Sequence, residues 1–417
     1  MNKSNLWIWL LIIVIGFGFG AWVLGFFGLG GCASTQQELI GTTTSTTTTT
    51  STTTSSSSTT TSTSTSTSST TTTTPVISGN WVPVGSPGFS SGEVYYTSLF
   101  IDNSTPYVAY SDFANGQKAT VMKYEDSNWG PVGSPGFSLG SAGYTSLYIY
   151  NGTPYVAYRD IDYTTVMTYE SGNWVPVGSP RFSAGGASDV SLSVYNGTPY
   201  VAFQDAGNLY GSVQASVMKY DGSNWVDVGS HGFSGALANY LSFSLYNGTP
   251  YVAYMDPFSA FSQAIVKKYD GSNWVNVGSP DFTAGKAEYI SLYVYNGTPY
   301  VAYEDRGNDS KATVMKYNGS NWVNVGSPAF SAGDADHISL KVYNGTPYVA
   351  YRDAGNGSKA TVKKYNGTNW VNVGGPGFSA GDATFISLYI YSGTPYVAYR
   401  DGGNGGKATV MKFVESP

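Results

Sequence analysis

An all-β fold, a seven-bladed β-propeller of four-stranded antiparallel blades, is what three features of the 417-residue sequence predict. First, "YNGTPYVAY" stands at 295–303 and recurs, with at most one change, at 150–158, 195–203, 246–254 and 343–351. Looser copies at 102–110 and 391–399 bring the count to seven. Second, Trp81, Trp129, Trp174, Trp225, Trp274, Trp322 and Trp370 follow one another at spacings of 48, 45, 51, 49, 48 and 48, the period of a propeller blade or solenoid turn. Third, each unit breaks into short aromatic and β-branched runs, and no segment of useful length carries a helical period.

Each strand follows from its residues. "YISLYVY" (289–295) is rich in β-formers and runs into Asn-Gly, a strong hairpin signal. "PYVAYED" (299–305) is the return strand, with Pro299 at its start, where a missing N–H is tolerated. "KATVMKY" (311–317) is the third strand, and "WVNVG" (322–326) the fourth. Pro83, Pro131 and Pro176 all fall inside the Trp-bearing strand, and proline in a sheet belongs at an edge. The Trp strand is therefore outermost and the "SLYVY" strand innermost.

The phase of the repeat predicts how the ring closes. The body opens with an orphan outer strand, "NWVPVG" (80–85), and ends with a third strand, "KATVMKF" (407–413). Adding 48 to 370 gives 418, one position past the end, so Trp81 supplies the tryptophan that the last blade lacks. The N-terminal strand is expected to complete blade 7.

Composition divides the chain into residues 1–31, a signal peptide or signal-anchor helix, 32–79, a Ser/Thr-rich stalk, and the propeller, 80–417. Residues 6–31 are uncharged and nearly all apolar or glycine, long enough for a bilayer, which takes about 20 residues. Lys3 favours a cytoplasmic N-terminus with the rest outside. Residues 42–74 are all Ser or Thr, cannot bury apolar surface, and are expected to form a disordered spacer. With one cysteine, Cys32, no intrachain disulfide can form. A net charge of −6 and pI of about 4.9 offer no basic stripe for nucleic acid.

Two resemblances sharpen this reading. "LGGC" (29–32) resembles a bacterial lipobox, which implies cleavage before Cys32 and lipidation of its thiol; an uncleaved signal anchor is the alternative. The repeats resemble the highly repetitive "GFSAG…NGTPYVAY" propellers of prokaryotic surface proteins across residues 80–413, which implies an exported propeller. Gly319 and Trp322 are similar to part of the sialidase Asp-box, but Tyr317 stands where its Asp belongs, so that likeness is architectural.

Candidate chemistry lies on the face of blade linkers and second-to-third-strand loops. An Asp follows "VAYx", or "VAFx" in the third copy, in every blade: Asp112, Asp160, Asp205, Asp256, Asp305, Asp353 and Asp401. Because the motif repeats unaltered, these carboxylates are expected to cap their own turns rather than bind a cation. The residue before each Asp varies and is arginine at Arg159, Arg352 and Arg400, a candidate patch for carboxylate ligands unless the arginines pair with neighbouring acids. Tyr210, Phe258 and Phe261, on the two most altered loops, are candidate ligand platforms. The Phe of "GFSAG" is expected to plug adjacent blades. His231 and His337 lie in different blades without metal-ligand spacing, and no catalytic triad, phosphate loop or dinucleotide fingerprint is present. No catalytic residue, metal or cofactor is assigned. The expected function is a non-catalytic, surface-tethered propeller that binds glycan or protein, its N-terminus in the membrane. A sialidase-like hydrolase or lyase and a structural spacer are the alternatives.

Overall fold

The computed structural model describes residues 76–207 and 213–416. The apolar segment, Cys32, the Ser/Thr block and Tyr210 lie outside these residues. Among those described, no helix is long and apolar enough to cross a membrane.

Seven sheets form the ring, and in blades 1 to 5 the four antiparallel strands are ordered as the chain runs. Blade 5 is representative: Ala287–Tyr295, Thr298–Asp305, Lys311–Tyr317 and Trp322–Asn324. The first strands of the seven blades pack side by side around the axis, so the Trp strand is the outer one. Pro131 and Pro176 end outermost strands, where no donor is required of them. The second strand is buried on both faces, and Val301 and Ala302 have no exposed surface. Alternating Val with Ala lets neighbouring sheets pack face to face around it.

Blade 7 closes as the repeat phase predicts. Gly79–Pro83 pairs antiparallel with Lys407–Glu415, placing Trp81 opposite Phe413. The preceding Val76–Ile77 also adds a fifth, parallel strand to the outer edge of blade 6, against Asn372 and Val373. The N-terminal segment thus ties two blades together.

Two contacts made at every interface, and a third made at six of the seven, join each blade to the next. Each outer-strand Trp donates its Nε1–H to the carbonyl of the valine that precedes "G" in the previous blade. The seven bonds, from Trp129 to Val84 through Trp81 to Val373, span 2.7–2.8 Å. The "GFSAG" Phe stacks on the same indole, as Phe282 does on Trp322 with centroids 4.1 Å apart. These phenylalanines are the interblade plugs expected of them. Near the axis, the Ser of "SLYVY" accepts from the Leu N–H of the next blade, as Ser291 does from Leu340 at 3.0 Å. Ser387 accepts from Leu99 in the same way, so the chain's end grips its beginning. The glycine of "VG" has one conformational reason. Gly278 has φ +72, and a Cβ there would lie 2.7 Å from the Tyr317 ring.

Candidate functional site

In six of the seven blades the repeated Asp accepts from its own turn; Asp160 instead accepts from Gly140 N–H and Arg181. Asp305, 1% exposed, accepts from Gly307 N–H at 3.2 Å, Asn308 Nδ2 at 2.8 Å and Thr313 Oγ1 at 3.0 Å. Thr313 in turn accepts from Ala329 N–H, which ties the linker to the turn. Asp112 and Asp401 bind the equivalent groups. No group of three or more His, Cys, Asp or Glu side chains among the described residues could hold a metal ion.

The three arginines divide. Arg352 pairs with Asp336 at 2.9 Å and Asp382 at 2.6 Å, and Arg400 pairs with Glu93. Neither is a free carboxylate receptor. Arg159 forms no ion pair among the described residues; its guanidinium lies 5.4 Å from the Tyr144 ring centroid. Phe258 and Phe261 stand out from their loop, 72% and 66% exposed, and do not cover their blade.

The arrangement that the linear reading missed is a crown at the mouth of the central channel. Every first strand carries a β-bulge near its start. At each bulge one non-glycine residue sits in the left-handed region: Tyr96, Tyr144, Asp189, Tyr240, Tyr289, His337 and Phe385, with φ between 48° and 55°. This conformation costs an L-residue about 1–2 kcal/mol. The bulge re-aims the side chain, and here the seven line one cavity of about 300 Å³. Tyr96 lies 4.7 Å from Tyr144 and 4.9 Å from Phe385, centroid to centroid. Tyr240, Tyr289, His337 and Phe385 continue the ring at 5.2–5.3 Å. Only Asp189 interrupts it, between Tyr144 and Tyr240.

Polar groups gather where the crown is broken. Asp189 Oδ2 accepts from Gln204 Nε2 at 2.9 Å and Leu241 N–H at 3.0 Å. Among the described residues no cation neutralises it, and burial pushes its carboxyl up to about 6 against the pull of the Leu241 and Tyr240 amides. Burial likewise lowers His337, partly opposed by Asp336. On blade 5, Glu288 pairs with Lys286 at 2.7 Å and Arg306 at 2.6 Å, and accepts from the Tyr240 hydroxyl at 3.3 Å. Burial raises Glu288, but Lys286 and Arg306 outweigh it and hold the group below its usual value. Glu304, 2% exposed, is pushed by burial up to about 7, with Arg306 opposing.

Two grooves of another kind open between blades. One, about 480 Å³, is lined by Tyr200, Tyr251 and Lys268, and the other, about 540 Å³, by the equivalent Tyr300, Tyr348 and Lys364. Both sit beside the tight hairpins at equivalent positions of two blade pairs, whereas the mouth occurs once per ring.

No family model and no curated protein matches the chain. Solved structures match it in fold. An ulvan lyase bound to a GlcA–Rha3S saccharide aligns with TM-score 0.52 at 12% identity, over 79% of this chain and 96% of that one. The lectin SapL1, in complex with α-methyl fucoside, aligns with TM-score 0.48 at 14% identity, over 71% and 99%. A Trypanosoma rangeli sialidase in complex with sialic acid aligns with TM-score 0.45 at 10% identity, over 81% and 59%. At 12% identity the lyase match speaks for the propeller architecture alone.

Asp189 gives the mouth a pH signature. Its proton is held more tightly in the folded protein than in the unfolded chain, whose carboxyl titrates near 3.8. This group's contribution to stability is therefore greatest below about pH 4 and is lost as pH rises through about 6. Asp189→Asn keeps an acceptor for Gln204 and Leu241 but removes the charge. The variant is expected to match the wild type below pH 4 and to exceed it at pH 7 by up to about 3 kcal/mol, at about 1.4 kcal/mol per pKa unit. Denaturation midpoints across pH 4–7 check this.

Proposed function

We propose that this chain is a non-catalytic binding propeller, held at the cell surface by its N-terminal segment, which takes a saccharide at the mouth of its central channel. The observation that carries the reading is the crown. Six aromatic rings are held in a strained backbone conformation around one concavity, in a molecule whose other features mostly repeat blade by blade. Flat aromatic faces suit the apolar faces of sugar rings, and Asp189 supplies a polar contact at the single break. A concavity of about 300 Å³ suits a sugar unit better than a protein surface. The fold is one that a polysaccharide lyase also uses, which agrees with a saccharide-binding reading.

Binding is favoured over turnover by the state of the carboxylates. Glycoside hydrolysis ordinarily takes two placed carboxyl groups. Here Glu288 and Glu304 are buried and held by Arg306, which leaves Asp189 alone in the mouth. A glycan array of the full chain tests the proposal, with Tyr240→Ala/Tyr289→Ala set beside Tyr200→Ala on the hairpin face. Losing two aromatic contacts of about 0.5–1.5 kcal/mol each is expected to weaken the bound saccharide roughly tenfold or more, while Tyr200→Ala leaves it unchanged. Release of shortened product would favour the hydrolase or lyase reading. Silence across the array would favour the spacer.

A further inference from the structure

Below the crown, the same first strands carry a second layer into the channel. Four residues further on, about 13 Å at about 3.3 Å per residue, Tyr96 gives way to Phe100 and His337 to Lys341. This layer lines a cavity of about 280 Å³. Its aromatic members are Phe100, Tyr148, Tyr293 and Tyr389, and Phe100 lies 5.0 Å from both Tyr148 and Tyr389. Blades 3 and 4 place Ser193 and Ser244 at the equivalent positions, so the layer is open on that side. Blade 3 lies across a seven-membered ring from blade 6, and blade 6 carries Lys341.

Lys341 is a cation without a counter-ion. No carboxylate lies within ion-pairing distance of its amine among the described residues, and its one recorded charge contact is with the Tyr293 ring, 5.4 Å from the centroid. Burial alone displaces its titration, down to about 8, and no acid offsets this. A buried charge is ordinarily paired because desolvation is costly. Here the space in front of the amine takes the place of a partner. The rim also offers the hydroxyls of Tyr148, Tyr293, Tyr389 and Ser193.

We propose that Lys341 is an anion-binding centre inside the channel and that it takes the carboxylate of a ligand entering along the axis. A carboxylate there pairs with the ammonium and accepts from the surrounding phenols, which are held protonated because burial raises Tyr148, Tyr293 and Tyr389. With the crown above, the ligand that satisfies both layers is an acidic sugar, its ring among the mouth aromatics and its carboxylate deeper. That second step rests on the saccharide reading of the mouth; the anion centre itself does not.

The test is calorimetric titration of the purified full-length chain with acetate, glucuronate and uncharged methyl glucoside, at pH 6.5 and pH 9. Wild type, Lys341→Met and Tyr289→Ala are compared, with circular dichroism confirming the fold. Glucuronate is expected to bind at pH 6.5, to weaken at least tenfold in Lys341→Met, and to weaken at pH 9, where the amine has lost its proton. Methyl glucoside is expected to be indifferent to Lys341. Acetate binding that depends on Lys341 without saccharide binding would uphold the anion centre and remove the glycan reading. Saccharide binding that needs Tyr289 but ignores both Lys341 and the carboxylate would uphold the mouth and overturn the anion centre. Equal glucuronate affinity in wild type and Lys341→Met, or no binding of any carboxylate, would overturn it as well.

Discussion

Deletion of residues 75–86 is expected to unfold the whole ring rather than fray one end. The deleted segment contains the outer strand of blade 7 and the fifth strand of blade 6. Its loss leaves the edge of Lys407–Glu415 unpaired. It also removes Trp81, which stacks on Phe378 with centroids 4.1 Å apart and donates to Val373 at 2.8 Å. Val84 goes too, so Trp129 loses the carbonyl that binds its indole. Truncating one large aromatic in a core typically costs about 3–5 kcal/mol, against a total stability of about 5–15 kcal/mol for a domain. In an open solenoid such a loss would stay local. In a closed ring it opens the seam between the last and first blades, and each remaining interface then bears on an unclosed arc. A melting curve followed by circular dichroism checks this; a midpoint within a degree or two of the intact protein would contradict ring closure by the N-terminal strand.

Trp322→Ala is expected to cost about 3–5 kcal/mol. Trp322 is 8% exposed, stacked on Phe282 and bonded to Val277. Alanine removes all three contributions and leaves a cavity between blades 4 and 5. Trp322→Phe keeps much of the stack but leaves the Val277 carbonyl without its donor, for about 1–3 kcal/mol. The two variants therefore separate packing from hydrogen bonding. Denaturant midpoints should rank wild type above Phe above Ala; equal midpoints for Phe and wild type would assign no weight to the indole bond.

Much of the fold was legible because the repeat is its own alignment. Trp spacing set the blade length, Pro83, Pro131 and Pro176 marked the edge strand, and the missing Trp after Trp370 pointed to Trp81. The Asp turn was legible for the same reason in six blades, whereas the bonds of Asp160 to Gly140 and Arg181 were not. Val76–Ile77 was not, because two residues carry no strand period. That the arginines pair with acids was open in the sequence, but the cross-blade partners were not legible. Asp382 lies in the linker to blade 7 and Glu93 before blade 1, so only the blade-to-blade geometry brings them to Arg352 and Arg400.

The crown was hidden by its bulge. A left-handed bulge residue is usually signalled by glycine, and here it is Tyr, Asp, His or Phe. The trace it left is the column "YTSL", "YTSL", "DVSL", "YLSF", "YISL", "HISL" and "FISL", in which the first letter is aromatic or His in six copies and Asp once. Strict alternation would place that residue on the same face as the serine, which holds the next blade. The bulge frees it to face the channel. Lys341 is a comparable exception in "SLKVY", a lone charge where other blades carry Phe, Tyr or Ser.

Ligand is expected to meet this ring where its symmetry breaks, at the mouth, and not at sites that repeat with the blades. The most direct measurement is a structure of the protein with the tightest-binding saccharide from the array. The account predicts one saccharide per ring, over Tyr240 and Tyr289 and beside Asp189. Several saccharides per ring in the hairpin-face grooves, on Tyr200 and Tyr251 or on Tyr300 and Tyr348, with an empty mouth, would contradict it.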